Sequence, residues 1–215
     1  MRAIVFALLT ALTLSTSYAQ TVHTPPLQCV RVRSEDEKGA SLGTGALIAS
    51  RYVATANHVV ADRKNDEAIT ITFPNGVEVD GVVELADKDQ DVAFIRIVPG
   101  DAKVPPPLKL FTGELQVGDV LWIMGYGSGP YKAQVGTLND MEYSHGYREI
   151  DGAGARSGDS GGPVLDEQGR FAGILWGSSG ETTMFSPSNI VIELFKTVYP
   201  APISPEPLPY NIRGN

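Results

Sequence analysis

Residues 158–163 read Gly158-Asp159-Ser160-Gly161-Gly162-Pro163, and the run continues into the apolar pair Val164-Leu165. Glycines on both sides of a serine let the backbone turn tightly and leave Oγ exposed. They also let backbone N–H groups converge on one point, as a developing oxyanion requires. Gly-x-Ser-x-Gly alone also fits an incidental glycine-rich turn. The whole hexapeptide, leading into a strand, narrows the choice to a nucleophile loop.

A serine hydroxyl is a weak nucleophile at neutral pH and needs a base. The chain has three histidines. His23 lies near the start of the expected mature chain, and His145 sits in the loop-like run Tyr143-Ser144-His145-Gly146-Tyr147. His58 follows the apolar strand Tyr52-Val53-Ala54-Thr55 and is backed by Val59-Val60, so a fold can hold it rigidly. It is the candidate base.

A base of this kind needs a carboxylate to fix its tautomer. Asp91 opens Val92-Ala93-Phe94-Ile95-Arg96-Ile97, a strand apolar enough to enter a core. A carboxylate there is costly unless partnered, and an imidazole N–H is a suitable partner. Asp87 and Asp89 are rivals, better read as a solvated turn. Asp87 to Asp91 also mimics the start of a calcium loop, but Val92 and Val98 stand where such a loop needs glycine and glutamate. One cysteine and three scattered histidines make no transition-metal site, and the sequence implies no cofactor.

Chain order then decides between folds. The order is His58, Asp91, Ser160. An α/β-hydrolase places its histidine after its serine, and no histidine follows Ser160. A subtilisin-like order needs an aspartate before His58, and only Asp36 is available, in a charged stretch. The order His, Asp, Ser remains.

The surrounding sequence predicts an all-β chain. Strands are expected at 27–33, 41–49, 52–55, 68–73, 77–85 and 92–98, then at 119–126, 132–138, 147–151, 163–165, 171–176 and 182–185. Phe73-Pro74-Asn75-Gly76-Val77 is a hairpin turn with Asn-Gly supplying positive φ. Between the two sets, Val104-Pro105-Pro106-Pro107-Leu108 is too stiff for a central strand and reads as a linker. Ile190, Val191, Leu194 and Val198 fall at helical spacing after Pro187. The expected divisions are a signal peptide (1–19), an N-terminal barrel with His58 and Asp91 (20–103), a linker (104–115), a C-terminal barrel and helix with Ser160 (116–199) and a Pro-rich tail (200–215).

Gly43-Thr44-Gly45-Ala46-Leu47-Ile48, Thr55-Ala56-Asn57-His58-Val59-Val60, Asp91-Val92-Ala93-Phe94-Ile95 and Gly158 to Pro163 together resemble the trypsin-like (chymotrypsin-fold) serine peptidases. The Asn-His-Val-Val and Asp-Val-Ala forms are most similar to the bacterial HtrA-type branch. The resemblance implies two six-stranded antiparallel β-barrels with a short C-terminal helix, and an active site in the cleft between them. It implies endopeptidase activity through an acyl-enzyme on Ser160, with His58 as base and acid and Asp91 orienting it. It assigns the oxyanion hole to the N–H groups of Gly158 and Ser160. HtrA-type proteins usually carry a peptide-binding PDZ module after the protease; 17 residues follow Val198 here, so none is expected. No Ile-Val-Gly-Gly-like activation sequence is present, so Asp159 is expected to be held by some means other than a freed N-terminus.

By motif position, Gly154 would form the base of the primary pocket, Ala155 its wall, and Trp176-Gly177 its edge. None is charged, so a small or medium uncharged side chain is the expected preference. Arg156 is expected to point to solvent. Glu181 could reach the pocket if its loop is short.

Arg2, the apolar run Ala3 to Leu14 and the small residues Ser17 and Ala19 read as an export signal cleaved after Ala19, and the run is too short for a membrane span. A secreted or periplasmic protein is expected. Cleavage would remove Arg2 and leave 16 basic against 25 acidic residues, net −9. That balance argues against nucleic acid and anionic membrane as partners, and the resemblance implies protein or peptide substrates. Cys29 is alone, so no disulfide forms within the chain, and a buried strand position is expected for it. An inactive binding module and a secreted esterase on the same fold are the alternative functions.

Overall fold

Val92 to Ile97 shows how the chain is layered. Val92 and Phe94 face one hydrophobic cluster, while Ala93, Ile95 and Ile97 face another. A strand buried on both faces loses the alternation of apolar and polar residues and reads as a continuous apolar run. The neighbouring strands divide in the same way: Tyr52 and Ala54 against Val53, and Ala46 and Ile48 against Leu47. One cluster fills a barrel, and the other is shared with the second half of the chain.

The computed structural model describes residues 24–36, 39–61, 69–127, 129–142 and 146–199. The expected signal peptide, its cleavage point after Ala19, His23, His145 and the tail 200–215 lie outside the described residues. The strands are β1 (Cys29–Asp36), β2 (Gly39–Ala49), β3 (Tyr52–Thr55), β4 (Ile69–Thr72), β5 (Glu78–Asp87) and β6 (Val92–Val98), then β7 (Val120–Gly125), β8 (Lys132–Glu142), β9 (Arg148–Asp151), β10 (Pro163–Leu165), β11 (Phe171–Ser179) and β12 (Thr182–Pro187). A one-turn helix α1 (Asn57–Val60) follows β3, and α2 (Ser188–Val198) follows β12.

Each set of six closes into an antiparallel barrel. The strand orders β1-β2-β3-β6-β5-β4 and β7-β8-β9-β12-β11-β10 are the same connectivity used twice. Closure pairs every strand on both sides and leaves no open sheet edge. The expected hairpin at 73–77 forms: Phe73 N–H donates to the Val77 carbonyl at 2.8 Å, and Gly76 takes φ +83.

Leu121, Ile123, Leu138, Ile150, Val164 and Phe185 fill the second barrel. The shared core joins Cys29, Ala46, Tyr52 and Phe94 of the first half to Met124, Leu165 and Phe171 of the second, with Val191 and Phe195 of α2. Helix α2 thus packs back across the first barrel. Phe195 meets Tyr52 and Phe94, each with ring centroids 5.1 Å apart.

Candidate active site

Register brings the histidine and the aspartate together. Strands β3 and β6 pair antiparallel with Thr55 opposite Ala93. The chain leaves β3 toward His58 at the same end where Asp91 precedes β6. Asp91 has φ +46, a left-handed conformation that Asp and Asn tolerate better than other non-glycine residues. In this pose it makes three bonds to α1. Its carbonyl accepts the Asn57 N–H at 3.1 Å, and Oδ1 accepts the His58 N–H at 2.9 Å. Oδ2 lies 2.7 Å from His58 Nδ1. Asp91 therefore caps a helix that has no side-chain cap of its own, and fixes the ring in the same act. The other two aspartates serve the turn: Asp87 Oδ1 accepts the Gln90 N–H at 2.8 Å, and the Asp89 carbonyl accepts the Tyr147 hydroxyl.

The His58 side chain is 49% exposed and that of Asp91 16%. The hydrogen bond to Asp91 raises the imidazole pKa above its ordinary 6.5; partial burial opposes this, and the carboxylate charge adds to it. An Nδ1–H held by a carboxylate leaves Nε2 free to accept a proton.

The serine loop docks onto the first barrel at Thr44. The Thr44 N–H donates to the Ser160 carbonyl at 2.8 Å, and its hydroxyl donates to the Gly158 carbonyl at 2.9 Å. Thr55 Oγ1 holds the Thr44 carbonyl at 2.7 Å, and the Tyr126 N–H reaches Thr44 Oγ1 at 3.2 Å. Gly161, at φ +82, passes so close to this seam that a Cβ there would stand 2.8 Å from the Ala56 nitrogen, two residues before His58. A Cβ on Gly43 would lie 2.6 Å from a Val59 methyl and 3.1 Å from the Ser160 carbonyl. Only glycine lets the loop and the His58 segment approach this closely.

Within the loop, the N–H groups of Asp159, Gly161 and Gly162 donate to the carbonyls of Arg156, Leu175 and Asp159. Those of Gly158 and Ser160 meet no acceptor among the described residues. Ser160 Oγ lies 3.5 Å from the Trp176 carbonyl, too far to tie it down. The loop thus offers a hydroxyl and two free donors.

Around this centre, Tyr147 stacks obliquely on Trp176, with centroids 4.9 Å apart. Ser186 Oγ donates to the Gln90 carbonyl at 2.8 Å. Through Tyr147 and Ser186 the second barrel holds the two carbonyls that precede Asp91. Gly154 and Ala155 lie beside the β11–β12 hairpin: Ser178 Oγ donates to the Ala155 carbonyl, and the Ala155 N–H donates to Thr183 Oγ1. A Cβ on Gly154 would stand 2.8 Å from the Gly180 carbonyl. A Cβ on Gly177 would meet only Met184, at 3.6 Å.

One expectation changes. Arg156 does not point to solvent; its side chain is 29% exposed and folds back onto Asp159, donating from Nε to Oδ2 at 3.1 Å and from a terminal nitrogen to Oδ1 at 3.0 Å. Thr44 carries a seam that sequence reasoning passed over. Its one signal was a hydroxyl between two glycines, Gly43-Thr44-Gly45. Glu181 sits exposed at the tip of a two-residue turn closed by the Ser179–Thr182 pair.

Residues 43–174 match the family model described as a trypsin-like peptidase domain. Over 167 residues the chain is 30% identical to a "Probable periplasmic serine endoprotease DegP-like" of Brucella suis, a match covering 73% of this chain and 30% of that one. A "Serine protease HtrA-like" of Staphylococcus aureus is 27% identical over 159 residues, covering 66% of this chain and 20% of that one. The chain therefore spans less than a third of the length of these relatives. Among solved structures, a serine endoprotease from Yersinia pestis superposes with a TM-score of 0.73 at 19% identity, over 84% of this chain and 66% of that one. The active form of the Rv3671c protease from M. tuberculosis superposes with a TM-score of 0.67 at 24% identity, over 78% of each chain. Both of these likenesses are of fold.

Proposed function

The chain belongs to the trypsin-like peptidase family, and from that premise we propose that it is an exported serine endopeptidase acting through His58, Asp91 and Ser160. One observation carries the reading: the 2.7 Å bond between His58 Nδ1 and Asp91, at the seam where the Ser160 loop docks. Export follows from the N-terminal signal pattern, and the periplasmic relatives favour it.

In this mechanism Ser160 Oγ attacks the scissile carbonyl and gives its proton to His58 Nε2. Asp91 stays ionised, accepts the Nδ1–H and steadies the imidazolium. The N–H groups of Gly158 and Ser160 receive the oxyanion of the tetrahedral intermediate. As the intermediate collapses, His58 passes its proton to the leaving amine and the acyl group stays on Ser160. Water, deprotonated by His58, then repeats the sequence and frees the acid.

The primary pocket is assigned to Gly154, Ala155, Trp176 and Gly177. It offers no charge to a buried Lys, Arg, Asp or Glu side chain, which favours cleavage after Ala, Val or Leu.

A serine-directed sulfonyl fluoride should label Ser160 and stop clearance of casein, while Ser160→Ala should take no label, show no clearance and stay folded. An unlabelled wild-type chain would instead indicate an inactive binding module. A labelled chain that cleaves esters and leaves casein intact would indicate an esterase.

A further inference from the structure

We propose that Arg156 is a positioning residue: its ion pair with the buried Asp159 sets the oxyanion loop in working order within the folded chain, with no separate activation event. The inference rests on the reading of Gly158 and Ser160 as oxyanion donors.

Asp159 is 3% exposed. A buried carboxylate is costly unless paired and hydrogen-bonded. Three bonds reach it from one residue: the Arg156 backbone N–H to Oδ2 at 2.8 Å, Nε to Oδ2 at 3.1 Å and a terminal nitrogen to Oδ1 at 3.0 Å. The two guanidinium bonds form the two-pronged pairing that suits arginine and that lysine cannot reproduce. The turn is closed again by its backbone, where the Asp159 N–H donates to the Arg156 carbonyl at 2.9 Å.

The guanidinium is anchored outside the turn as well. It donates to the carbonyls of Pro130 at 3.2 Å and Gly125 at 3.3 Å. Gly127 lies between this group and the oxyanion loop. A Cβ there would stand 2.8 Å from Arg156 Nε, and a Cβ on Gly158 would stand 2.8 Å from the Gly127 carbonyl carbon. Gly158, at φ +88, therefore sits inside a turn fixed at Arg156 and Asp159 and backed by Gly127. The direction of its N–H depends on that turn. Without the guanidinium, the buried Asp159 carboxylate loses two of its three bonds to Arg156 and turns toward water, which lets the peptide that carries the Gly158 N–H reorient.

Oxyanion donors act on the transition state more than on bound substrate, so their loss appears in kcat and not in KM. Kinetics on a fluorogenic peptide, with active-site titration by a sulfonyl fluoride, test the idea. Freshly folded wild-type chain should titrate fully with no pretreatment. Arg156→Gln should lower kcat by about 10²–10³-fold with KM nearly unchanged, the scale of losing one oxyanion donor. Arg156→Lys should recover part of the loss.

Should Arg156→Gln fail to fold, Arg156→Gln combined with Asp159→Asn removes both buried charges, and its kcat should remain low. A kcat within a few-fold of wild type in either folded variant overturns the proposal. So does a loss that tracks only the fraction of folded protein. A wild-type chain that neither titrates nor turns over overturns the peptidase reading together with this one; an active wild type with an equally active Arg156→Gln overturns this one alone.

Discussion

Asp91 is the one non-glycine residue with left-handed backbone among the described residues, and its side chain and carbonyl serve two adjacent residues of α1. Asparagine tolerates that backbone as well as aspartate does, so Asp91→Asn changes charge with little strain. An Asn can still accept the His58 N–H, but its NH₂ then faces Nδ1 and forces the proton onto Nε2. The expected loss is about 10⁴-fold in kcat, that of a triad histidine held in the wrong tautomer. The pH profile gives a second check. His58 must be neutral to act, and Asp91 raises its pKa, so kcat/KM should rise with pH through a midpoint above 6.5. In Asp91→Asn that limb should move to lower pH; a limb that stays put would mean another group titrates. The same shift ties stability to pH. The pair's contribution is complete below 6.5 and is lost as pH rises through the raised value, so it falls away over the range in which His58 becomes a neutral base. Ser160, His58 and Asp91 were legible as candidates because each stands in a short motif beside an apolar strand. Thr44 and Arg156 were not. A hydroxyl that bonds a carbonyl 114 residues away, and an arginine that reaches three residues forward, leave no periodic trace.

At the scale of elements, the β11–β12 hairpin bounds the space beside Gly154 and Ala155, the residues proposed to line the primary pocket. The sequence marked β11 as ending near Trp176, yet it continues to Ser179. Ser178 and Ser179 pair with Thr183 and Thr182 through the backbone. A hairpin tip held that way, with polar residues on it, shows no hydrophobic alternation for sequence reading to follow. The extra length brings the Gly180 carbonyl against Gly154, in the space a longer side chain would need. Cleavage profiling on a mixed peptide library should therefore show Ala, Val or Leu before the scissile bond. Gly154→Asp should not create a preference for Lys or Arg, and should lower the melting temperature because backbone has to move. If that variant cleaves after Arg, the pocket is open beneath residue 154. Should wild type itself cleave after Arg or Lys, Glu181 would be the remaining carboxylate to replace.

For the whole molecule, the barrel count was legible from twelve strand-like runs and a proline-rich break. What the sequence concealed is that β2, β3 and β6 each have one face, and β1 its first residue Cys29, in a core shared with the other barrel. Apolar runs show that a strand is buried on both sides, but not what lies on the second side. The proposed catalytic geometry depends on that shared core, because His58 and Asp91 stand on one barrel and Ser160 on the other. Phe195 is fully buried in it, against Tyr52, Phe94 and Tyr199. Phe195→Ala should destabilise the fold by about 3–5 kcal/mol, the range for deleting a buried aromatic side chain. Cys29 belongs to the same cluster and has no exposed surface, and burial pushes its thiol pKa far up. It should be inert to thiol reagents in the native state, and reductant should leave the melting temperature unchanged. The thiol then reports on the junction between the barrels. Phe195→Ala should speed Cys29 labelling in step with its loss of stability, and peptidase activity should fall over the same temperature range. Rapid labelling of native wild-type chain would show that the barrels part without unfolding, and that the seam at Thr44 is made only part of the time.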